Sequence, residues 1–413
     1  MKYPRSLAVR VLTRVLSEQQ PLDEALENAF AGLAPAQKAW LQEVCSGTLR
    51  WKGRLDFALD SVALKKKPSG WLRKILLIAC YQIIVQTRTA AAAVVSETVS
   101  EVKMREGEAP ARFANACLRK ITEHATQWRE LQPQTAADAA LASLPLWLWE
   151  KLVAQHGFEW ARGYAHASLE RPTLWLRARD PNFVPSSVEK GPVPGSLKVL
   201  QGGAVTELEG FQEGQFIVQD ISSQILAAEI YSAVRETLGR NDFTMLDLCA
   251  APGGKSVSMA WHGAQVTATD LSEKRFKILE NTVSRTRSGT PNTVKLVPWT
   301  EINHSPTTQD LIWVDAPCTG TGILRRHPDI RWLRQEKELG ELQNTQLKLI
   351  KQGWDKVAPG GFLAYSVCSV LKEEGTEIIE RAELTSYLVK QWFLTPQEGP
   401  HGDGFWAVLL RKI

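Results

Sequence analysis

The sequence predicts a multidomain chain with an all-α N-terminal part, a small α+β region in the middle and an α/β C-terminal part built on a parallel sheet. Three observations predict this fold class. The 413 residues exceed the roughly 100–200 residues of one typical domain. Apolar residues recur at helical spacing up to about residue 125, and short apolar runs alternate with helical stretches after residue 214. We expect domains over residues 1–130, 131–214 and 215–413.

The first 125 residues contain five apolar stripes of helical periodicity. The stripes are Leu7–Leu16, Ala39–Leu49, Leu72–Val85, Ala92–Val102 and Ala114–Ile121. Residues three and four positions apart share one face of a helix, so the stripes predict a bundle of five or more helices. We also expect helices in the Trp- and Ala-rich segment 126–170. The Pro- and Gly-rich stretch after it holds two short predicted strands, Leu174–Arg177 and Phe216–Val218.

The C-terminal part alternates strands with helices. The predicted strands are Thr244–Leu248, Gln265–Thr269, Thr293–Val297, Asp310–Val314, Gly361–Tyr365 and Trp406–Leu410. This order is typical of a doubly wound parallel sheet, in which ligands bind beyond the carboxyl ends of the strands. We therefore expect the chemistry to lie in the turns that follow these strands.

The charge distribution favours a polyanionic partner. The net charge is +4, yet the first 130 residues hold 20 Lys and Arg against 13 Asp and Glu. Neutralisation of phosphates by Lys and Arg dominates the affinity of proteins for nucleic acids, so we expect the N-terminal part to bind RNA. The basic loop at Lys65, Lys66 and Lys67 is one candidate contact.

The six cysteines are scattered, with no CxxC pair and no histidine at the spacing of a metal ligand. This pattern predicts neither a disulfide framework nor a metal site, and it favours a reducing, cytoplasmic location. Cys45, Cys80 and Cys117 are expected to be buried core residues. The longest apolar run, Ile75–Val85, is shorter than the roughly 20 residues that a membrane-spanning helix needs, so we expect no membrane association.

A Gly-rich turn, Asp247–Ser256, follows the first C-terminal strand. Small residues there allow a ligand to approach the backbone, and the helix that follows offers free N–H groups. The turn lacks the spacing of a phosphate loop and of a dinucleotide site. Asp270 ends the next strand, where a carboxylate is able to bind both hydroxyls of a ribose. Together the two turns predict a cofactor that contains a nucleoside but no pyrophosphate. S-adenosylmethionine fits this description.

Two further turns contain thiols. Asp315, Cys318 and Cys368 each follow a predicted strand on the ligand side of the sheet. A thiolate added to carbon 6 of a cytosine, helped by an acid at ring nitrogen 3, makes carbon 5 nucleophilic enough to accept a methyl group. The base must first leave its stack to reach such a site. Asp315 is the candidate acid, and the second cysteine would help remove the carbon 5 proton or release the thioether.

Four segments of the chain closely resemble one enzyme family. They are Leu246–Ser256 (LDLCAAPGGKS), Asp315–Arg326 (DAPCTGTGILRR), His327–Arg334 (HPDIRWLR) and Tyr365–Leu371 (YSVCSVL). They are similar to the RNA 5-methylcytosine methyltransferases, and in particular to the bacterial 16S rRNA methyltransferase B family, also called RsmB, Sun or Fmu. The resemblance covers the whole chain, including Val218–Gln224 in the intermediate region. It implies an N-terminal NusB-like RNA-binding domain at about 4–125 and a C-terminal Rossmann-like catalytic domain.

The resemblance also implies roles for individual residues. It makes Cys368 the nucleophile, and it makes Cys318 the residue that assists release of the methylated RNA. It implies that S-adenosylmethionine is bound by Cys249, Ala250, Ala251, Pro252, Gly253, Gly254, Lys255, Asp270 and Asp315. The implied substrate is one cytosine of 16S rRNA, naked or in a partly assembled small subunit, and we expect a monomeric enzyme. Arg325, Arg326 and Arg331 follow the Cys318 turn and are candidates for substrate contact.

Pro298, Val367 and Gly375 stand where this family commonly has an acidic residue, a threonine and an asparagine. They leave open a second hypothesis, in which an RNA-binding assembly or antitermination-type factor keeps an inactive methyltransferase body. A third hypothesis keeps the chemistry but makes transfer RNA the substrate.

Overall fold

A computed structural model of the chain describes residues 5–63, 66–86, 89–200, 203–287, 294–304, 307–399 and 402–413. The chain divides into two compact units. The first comprises residues up to Arg171 together with Leu324–Glu336, and the second comprises Pro172–Ile323 and Lys337–Ile413. The three domain boundaries expected from the sequence stay a prediction.

Helices dominate the first half of the chain. In chain order the helices are α1 (Arg5–Glu18), α2 (Leu22–Glu27), α3 (Pro35–Val62), α4 (Gly70–Ile84), α5 (Ala91–Glu106), α6 (Glu108–Glu123), α7 (Ala125–Glu130), α8 (Ala139–Ala142), α9 (Leu146–His156), α10 (Phe158–Ala167), α11 (Ile221–Leu238), α12 (Gly254–His262), α13 (Glu273–Thr286), α14 (Trp299–His304), α15 (Ile330–Leu333), α16 (Leu339–Asp355) and α17 (Thr376–Arg381). The first ten confirm the helical character expected for residues 4–125 and 126–170. None of the helices formed by the described residues is both long enough and apolar enough to cross a bilayer.

The strands of the described residues all belong to the second unit. They are β1 (Trp175–Ala178), β2 (Val188–Lys190), β3 (Ser196–Val199), β4 (Phe216–Val218), β5 (Thr244–Asp247), β6 (Gln265–Ala268), β7 (Lys295–Leu296), β8 (Gln309–Asp315), β9 (Val357–Val367), β10 (Leu388–Leu394) and β11 (Phe405–Arg411). Strands β1 to β4 form a small antiparallel sheet in the order β2-β3-β1-β4. The two strands predicted in this region correspond to β1 and β4.

The core of the first unit is formed mainly by buried apolar residues of α1 to α6, as helical periodicity predicts. Cys45, Cys80 and Cys117 are buried in this core, which confirms their expected place. Burial raises the pKa of the Cys45 thiol, so this group stays protonated. Lys66 and Lys67 are exposed, and Lys67 pairs with Asp60 at 3.0 Å. Lys65 lies outside the described residues.

The segment Leu324–Glu336 packs with the helices of the first unit, although it follows the Cys318 turn in the sequence. Arg331 is 1% exposed and donates hydrogen bonds to the carbonyls of Ser143 and Ser168 at 3.0 and 2.5 Å. Arg325 is also buried. Substrate contact was therefore a wrong prediction for these two arginines, because their guanidinium groups are covered by protein and Arg331 binds backbone carbonyls. For Arg326 it stays a prediction.

The large sheet has the order β10-β11-β9-β8-β5-β6-β7. Strands β5 to β9 pair with one another in parallel, whereas β11 pairs antiparallel with both β9 and β10. The expected parallel sheet is confirmed for β5 to β9, and the two antiparallel strands at one edge make the whole sheet mixed. Side chains alternate between two buried faces: Leu311 and Trp313 pack with α11 to α13, while Ile312 and Val314 pack with α16 and α17. Helices cover both faces, which confirms the Rossmann-like arrangement.

Candidate active site

Parallel strands bring four predicted turns to one edge of the large sheet. The strands β5, β6 and β8 end at Asp247, at Ala268 shortly before Asp270, and at Asp315. The adjacent strand β9 ends at Val367, one residue before Cys368. Because β6, β5, β8 and β9 are neighbours in the sheet, their carboxyl ends lie side by side. The sequence-predicted residues are thus brought together.

The Gly-rich turn after β5 is built against Asp270. Gly253 has a φ of 109°, a left-handed conformation that favours glycine, and it leads into the first turn of α12. The N–H of Ala251 donates to Oδ2 of Asp270 at 3.2 Å, and the N–H of Ser272 donates to Oδ1 at 3.0 Å. Asp270 is 5% exposed. Its carboxylate is held in one orientation and retains acceptor capacity on Oδ1.

Asp247 is a buried acid beneath this turn. Ser256 donates its hydroxyl to Oδ2 at 2.7 Å, whereas Oδ1 is buried without a hydrogen-bond partner in the described structure. Burial raises the pKa of Asp247 to about 7, against the hydrogen bond from Ser256, which lowers it. Sequence reasoning did not single out this residue, although a carboxylate at the end of a buried strand was the available signal.

Lys255 and Asp315 form an ion pair between the first and third turns. The Nζ of Lys255 lies 2.6 Å from Oδ2 of Asp315, and the Ser366 hydroxyl donates to Oδ1 at 2.7 Å. The indole N–H of Trp313 in turn donates to the Ser366 oxygen at 3.0 Å. The side chain of Lys255 is 11% exposed and that of Asp315 is 30% exposed, so the ion pair is partly accessible to solvent. Sequence reasoning assigned no role to Ser366 or Trp313, although Ser366 lies in the quoted segment around Cys368.

The two thiols predicted to act together are in contact. The sulfurs of Cys318 and Cys368 lie 3.4 Å apart. Cys368 is half-buried, whereas Cys318 is buried with 9% exposure. The hydrogen bond to Cys368 and burial both raise the pKa of Cys318 well above its usual value. Cys318 is therefore a neutral thiol at neutral pH, placed against the more accessible sulfur.

Cys249 also lies in the first turn, but it is buried. Burial and the neighbouring acids Asp247 and Asp270 raise the pKa of this thiol. We assign it no reactive role, because a protonated buried thiol is inert.

The structure shows the surroundings of the three residues that depart from the family pattern, Gly375, Val367 and Pro298. A Cβ on Gly375 would meet the ring of Trp406 at 3.0 Å, so an aromatic ring takes the space of a side chain here. Val367 is fully buried in β9, where it pairs with Trp406 of β11. Pro298 precedes α14, and its carbonyl accepts the first N–H bonds of that helix. None of these residues hydrogen-bonds a site residue through its side chain.

Comparison with known protein families matches two regions of the chain. Residues 237–397 match the family described as 16S rRNA methyltransferase RsmB/F, and residues 2–123 match the NusB family. The first match includes strands β5 to β10 of the large sheet, and the second includes helices α1 to α6.

Curated relatives span nearly the full length. A ribosomal RNA small subunit methyltransferase B of Citrobacter koseri is 30% identical, covering 99% of this chain and 99% of the relative. The protein of the same name from Cronobacter sakazakii is 30% identical over 91% of this chain and 88% of the relative.

Solved structures share the fold. PH0851 covers 100% of both chains with 20% identity and a TM-score of 0.71. NSun6 from Pyrococcus horikoshii covers 64% of this chain and 97% of its own, with 17% identity and a TM-score of 0.54. The N-terminal helices, the Rossmann-like unit and the full-length relatives together confirm the resemblance seen in the sequence. This chain belongs to the ribosomal RNA small subunit methyltransferase B family.

Proposed function

We propose that this protein methylates carbon 5 of a cytosine in 16S rRNA, with S-adenosylmethionine as the methyl donor and Cys368 as the nucleophile. The observation that carries the proposal is the pair of sulfurs 3.4 Å apart beside the Lys255–Asp315 ion pair. The names of the curated relatives, which specify ribosomal RNA of the small subunit, support the substrate class. The match to the family of 16S rRNA methyltransferases narrows the proposed substrate to 16S rRNA.

The first two turns suit the methyl donor. Asp270 offers the ribose hydroxyls a carboxylate that is held in one orientation. Gly253, in a left-handed conformation, leads into the N-terminus of α12, whose free N–H groups are able to bind a ligand. A Cβ on Gly254 would meet its nearest neighbour, Gln219, only at 3.6 Å, so space remains beside the backbone. The residues that would hold the donor are those named from the resemblance, Cys249 to Lys255 with Asp270 and Asp315. S-adenosylmethionine supplies an electrophilic methyl group at this site.

Cys368 begins the reaction on the RNA. Its thiolate adds to carbon 6 of an unstacked cytosine, forming a sulfur–carbon bond and making carbon 5 nucleophilic. We assign Asp315 to ring nitrogen 3 as the acid, and the Nζ of Lys255 lies 2.6 Å from its Oδ2.

Cys318 acts at the end of the reaction. Elimination transfers the proton of carbon 5 to a water molecule and breaks the bond between the Cys368 sulfur and carbon 6, whose electron pair returns to the sulfur. The neutral thiol of Cys318 lies within hydrogen-bond distance of the departing sulfur, so it stabilises the thiolate that forms. Two thiols therefore divide attack and release between them.

Methyl transfer is tested with tritiated S-adenosylmethionine and undermethylated 16S rRNA. We expect label in the naked RNA or the partly assembled small subunit, and none with Cys368→Ala. Transfer RNA serves as the competing substrate. Label that enters transfer RNA alone, or label that does not depend on Cys368, contradicts the proposal.

The inactive-body hypothesis is tested by calorimetric titration with S-adenosylmethionine. The proposed enzyme releases or absorbs heat on binding, whereas a non-functional pocket gives none. The cytoplasmic location and the monomeric state stay predictions.

A further inference from the structure

Glu374 is a fully buried carboxylate that connects the two thiol segments. It lies in a 3₁₀ turn, Lys372–Glu374, shortly after Cys368, and it has no exposed surface. Its carboxylate accepts hydrogen bonds from the N–H of Thr319 at 2.9 Å and from the Thr319 hydroxyl at 2.5 Å. Thr319 directly follows Cys318, so Glu374 fixes the backbone beside that sulfur.

The remaining contacts of Glu374 are also neutral. Gln346 of α16 donates its amide to Oε1 at 3.0 Å, and the Tyr365 hydroxyl donates to the Glu374 backbone carbonyl at 2.9 Å. In the part of the chain that the structure describes, no Lys, Arg or His pairs with this carboxylate. Burying a charge without a counter-ion costs free energy. A glutamine would keep Oε1 as the acceptor for the N–H of Thr319 and the amide of Gln346, and its Nε2 would donate to the Thr319 hydroxyl, so packing alone does not explain an acid at this position.

The charge of Glu374 acts on the neighbouring thiol. The titratable groups around Cys318 are Cys368 directly after β9, Tyr365 of β9, Asp315 of β8, Cys249 after β5, and Glu374 itself. Asp315 is paired with Lys255, whereas Glu374 has no cationic partner among the described residues. A nearby negative charge disfavours a thiolate, and Glu374 adds to the hydrogen bond and burial that raise the pKa of Cys318.

We propose that Glu374 is a positioning residue, which clamps the Cys318 loop through Thr319 and keeps Cys318 in its thiol form, so that Cys368 alone attacks the RNA. This inference rests on the proposed function and deepens it. It explains how two sulfurs in contact take different roles: Cys318 is the more buried sulfur and the charge of Glu374 raises its pKa, whereas Cys368 is half-buried.

The thiols themselves provide the test, without RNA. Wild type, Glu374→Gln and the control Glu380→Gln are pulsed with isotope-coded iodoacetamide across a series of pH values. Labelling of each cysteine is read by peptide mass spectrometry. Glu380 is an exposed acid of α17, so its substitution makes the same chemical change away from the thiols. Glu374→Gln keeps the acceptor oxygen for the Thr319 N–H, reverses the hydrogen bond with the Thr319 hydroxyl and removes the charge.

We expect the labelling profile of Cys318 in Glu374→Gln to move to lower pH by about one unit, the usual effect of a charge at close range. At a pH below the midpoint this shift makes labelling about tenfold faster, because the thiolate is the reactive form. Glu380→Gln should match wild type. An unchanged Cys318 profile in a folded Glu374→Gln protein overturns the proposal.

If Glu374→Gln does not fold, the labelling rates of the two cysteines in the wild-type protein test the proposal. The proposal requires Cys368 to be labelled faster than Cys318 at neutral pH, and equal or faster labelling of Cys318 overturns it. The proposed function is judged separately, by methyl transfer to 16S rRNA. A shifted Cys318 profile in a protein that transfers no methyl group refutes the methylation and supports the positioning by Glu374.

Discussion

The sulfurs of Cys318 and Cys368 lie 3.4 Å apart, although fifty residues separate them in the sequence. The contact arises because β8 and β9 are adjacent parallel strands and each is followed by one of the cysteines. Backbone hydrogen bonds between the two turns keep it in place: the N–H of Gly322 donates to the carbonyl of Cys368 at 2.9 Å. Two thiols at this distance are able to serve one substrate atom in succession.

Replacing the cysteines one at a time separates their roles. Cys318→Ala removes the thiol that assists release, so we expect a covalent complex with 16S rRNA to accumulate while turnover stops. Cys368→Ala removes the nucleophile and should give neither complex nor product. Denaturing gels of protein incubated with labelled RNA and S-adenosylmethionine distinguish the two. A complex that persists only in Cys368→Ala would mean that the two roles are exchanged.

Gly322 is required by close packing of the Cys318 turn. A Cβ at this position would overlap the carbonyl oxygen of Gly404, and Gly404 also donates its N–H to the Gly322 carbonyl at 2.8 Å. We expect Gly322→Ala to destabilise the protein by about 1–3 kcal/mol, as overpacked sites do. The measurement is urea denaturation.

Gly340 provides the matched control, because it lies in α16 and a Cβ added there would meet no atom within 4 Å. Gly340→Ala should stabilise the protein by about 0.5–1 kcal/mol through helix propensity. Equal stability of the two variants would contradict the role assigned to Gly322.

Asp247 makes stability depend on pH. Burial raises its pKa to about 7 in the folded protein, whereas an unfolded aspartate has the usual value of 3.8. The folded state therefore binds more protons than the unfolded state between these values, and stability falls as the pH rises through this window, by about 1.4 kcal/mol per unit of difference.

Asp247→Asn should remove this dependence, since it has no proton to lose and keeps an acceptor for Ser256. Thermal denaturation of both proteins at several pH values between 4 and 8 checks this. We expect the melting temperature of wild type to fall relative to the variant as the pH rises. Parallel curves would show that Asp247 is already ionised in the folded protein.

Much of the site was predictable because it lies at strand ends. The turns after β5, β6, β8 and β9 are short, so the sequence places Asp270, Asp315, Cys318 and Cys368 near one sheet edge once the strands are identified. The contact between Glu374 and Thr319 has no such rule. It joins residues 55 positions apart through a buried side chain, and only the packed structure shows it.

The differences between the predicted and the observed strands have physical reasons. Strand β10 was not predicted, since Leu388 to Gln391 are exposed at the sheet edge and give no alternating pattern. Strand β9 begins at Val357, four residues before the predicted start at Gly361. Gly360 interrupts it with a φ of 77°, and the pairing with β8 shifts register between Gln309 and Leu311. A glycine inside a strand indicates an irregularity such as a bulge, and it does not mark the residue at which the strand begins.

The central claim is that the sulfur of Cys368 bonds to carbon 6 of a cytosine, and 16S rRNA transcribed with 5-fluorocytidine tests it most directly. Fluorine at carbon 5 blocks the elimination, so the covalent adduct persists in the presence of S-adenosylmethionine. Mass spectrometry of the digested adduct should find the nucleotide on the peptide that contains Cys368. A nucleotide attached to Cys318, or no adduct with an RNA that the enzyme methylates in its unmodified form, would contradict the account.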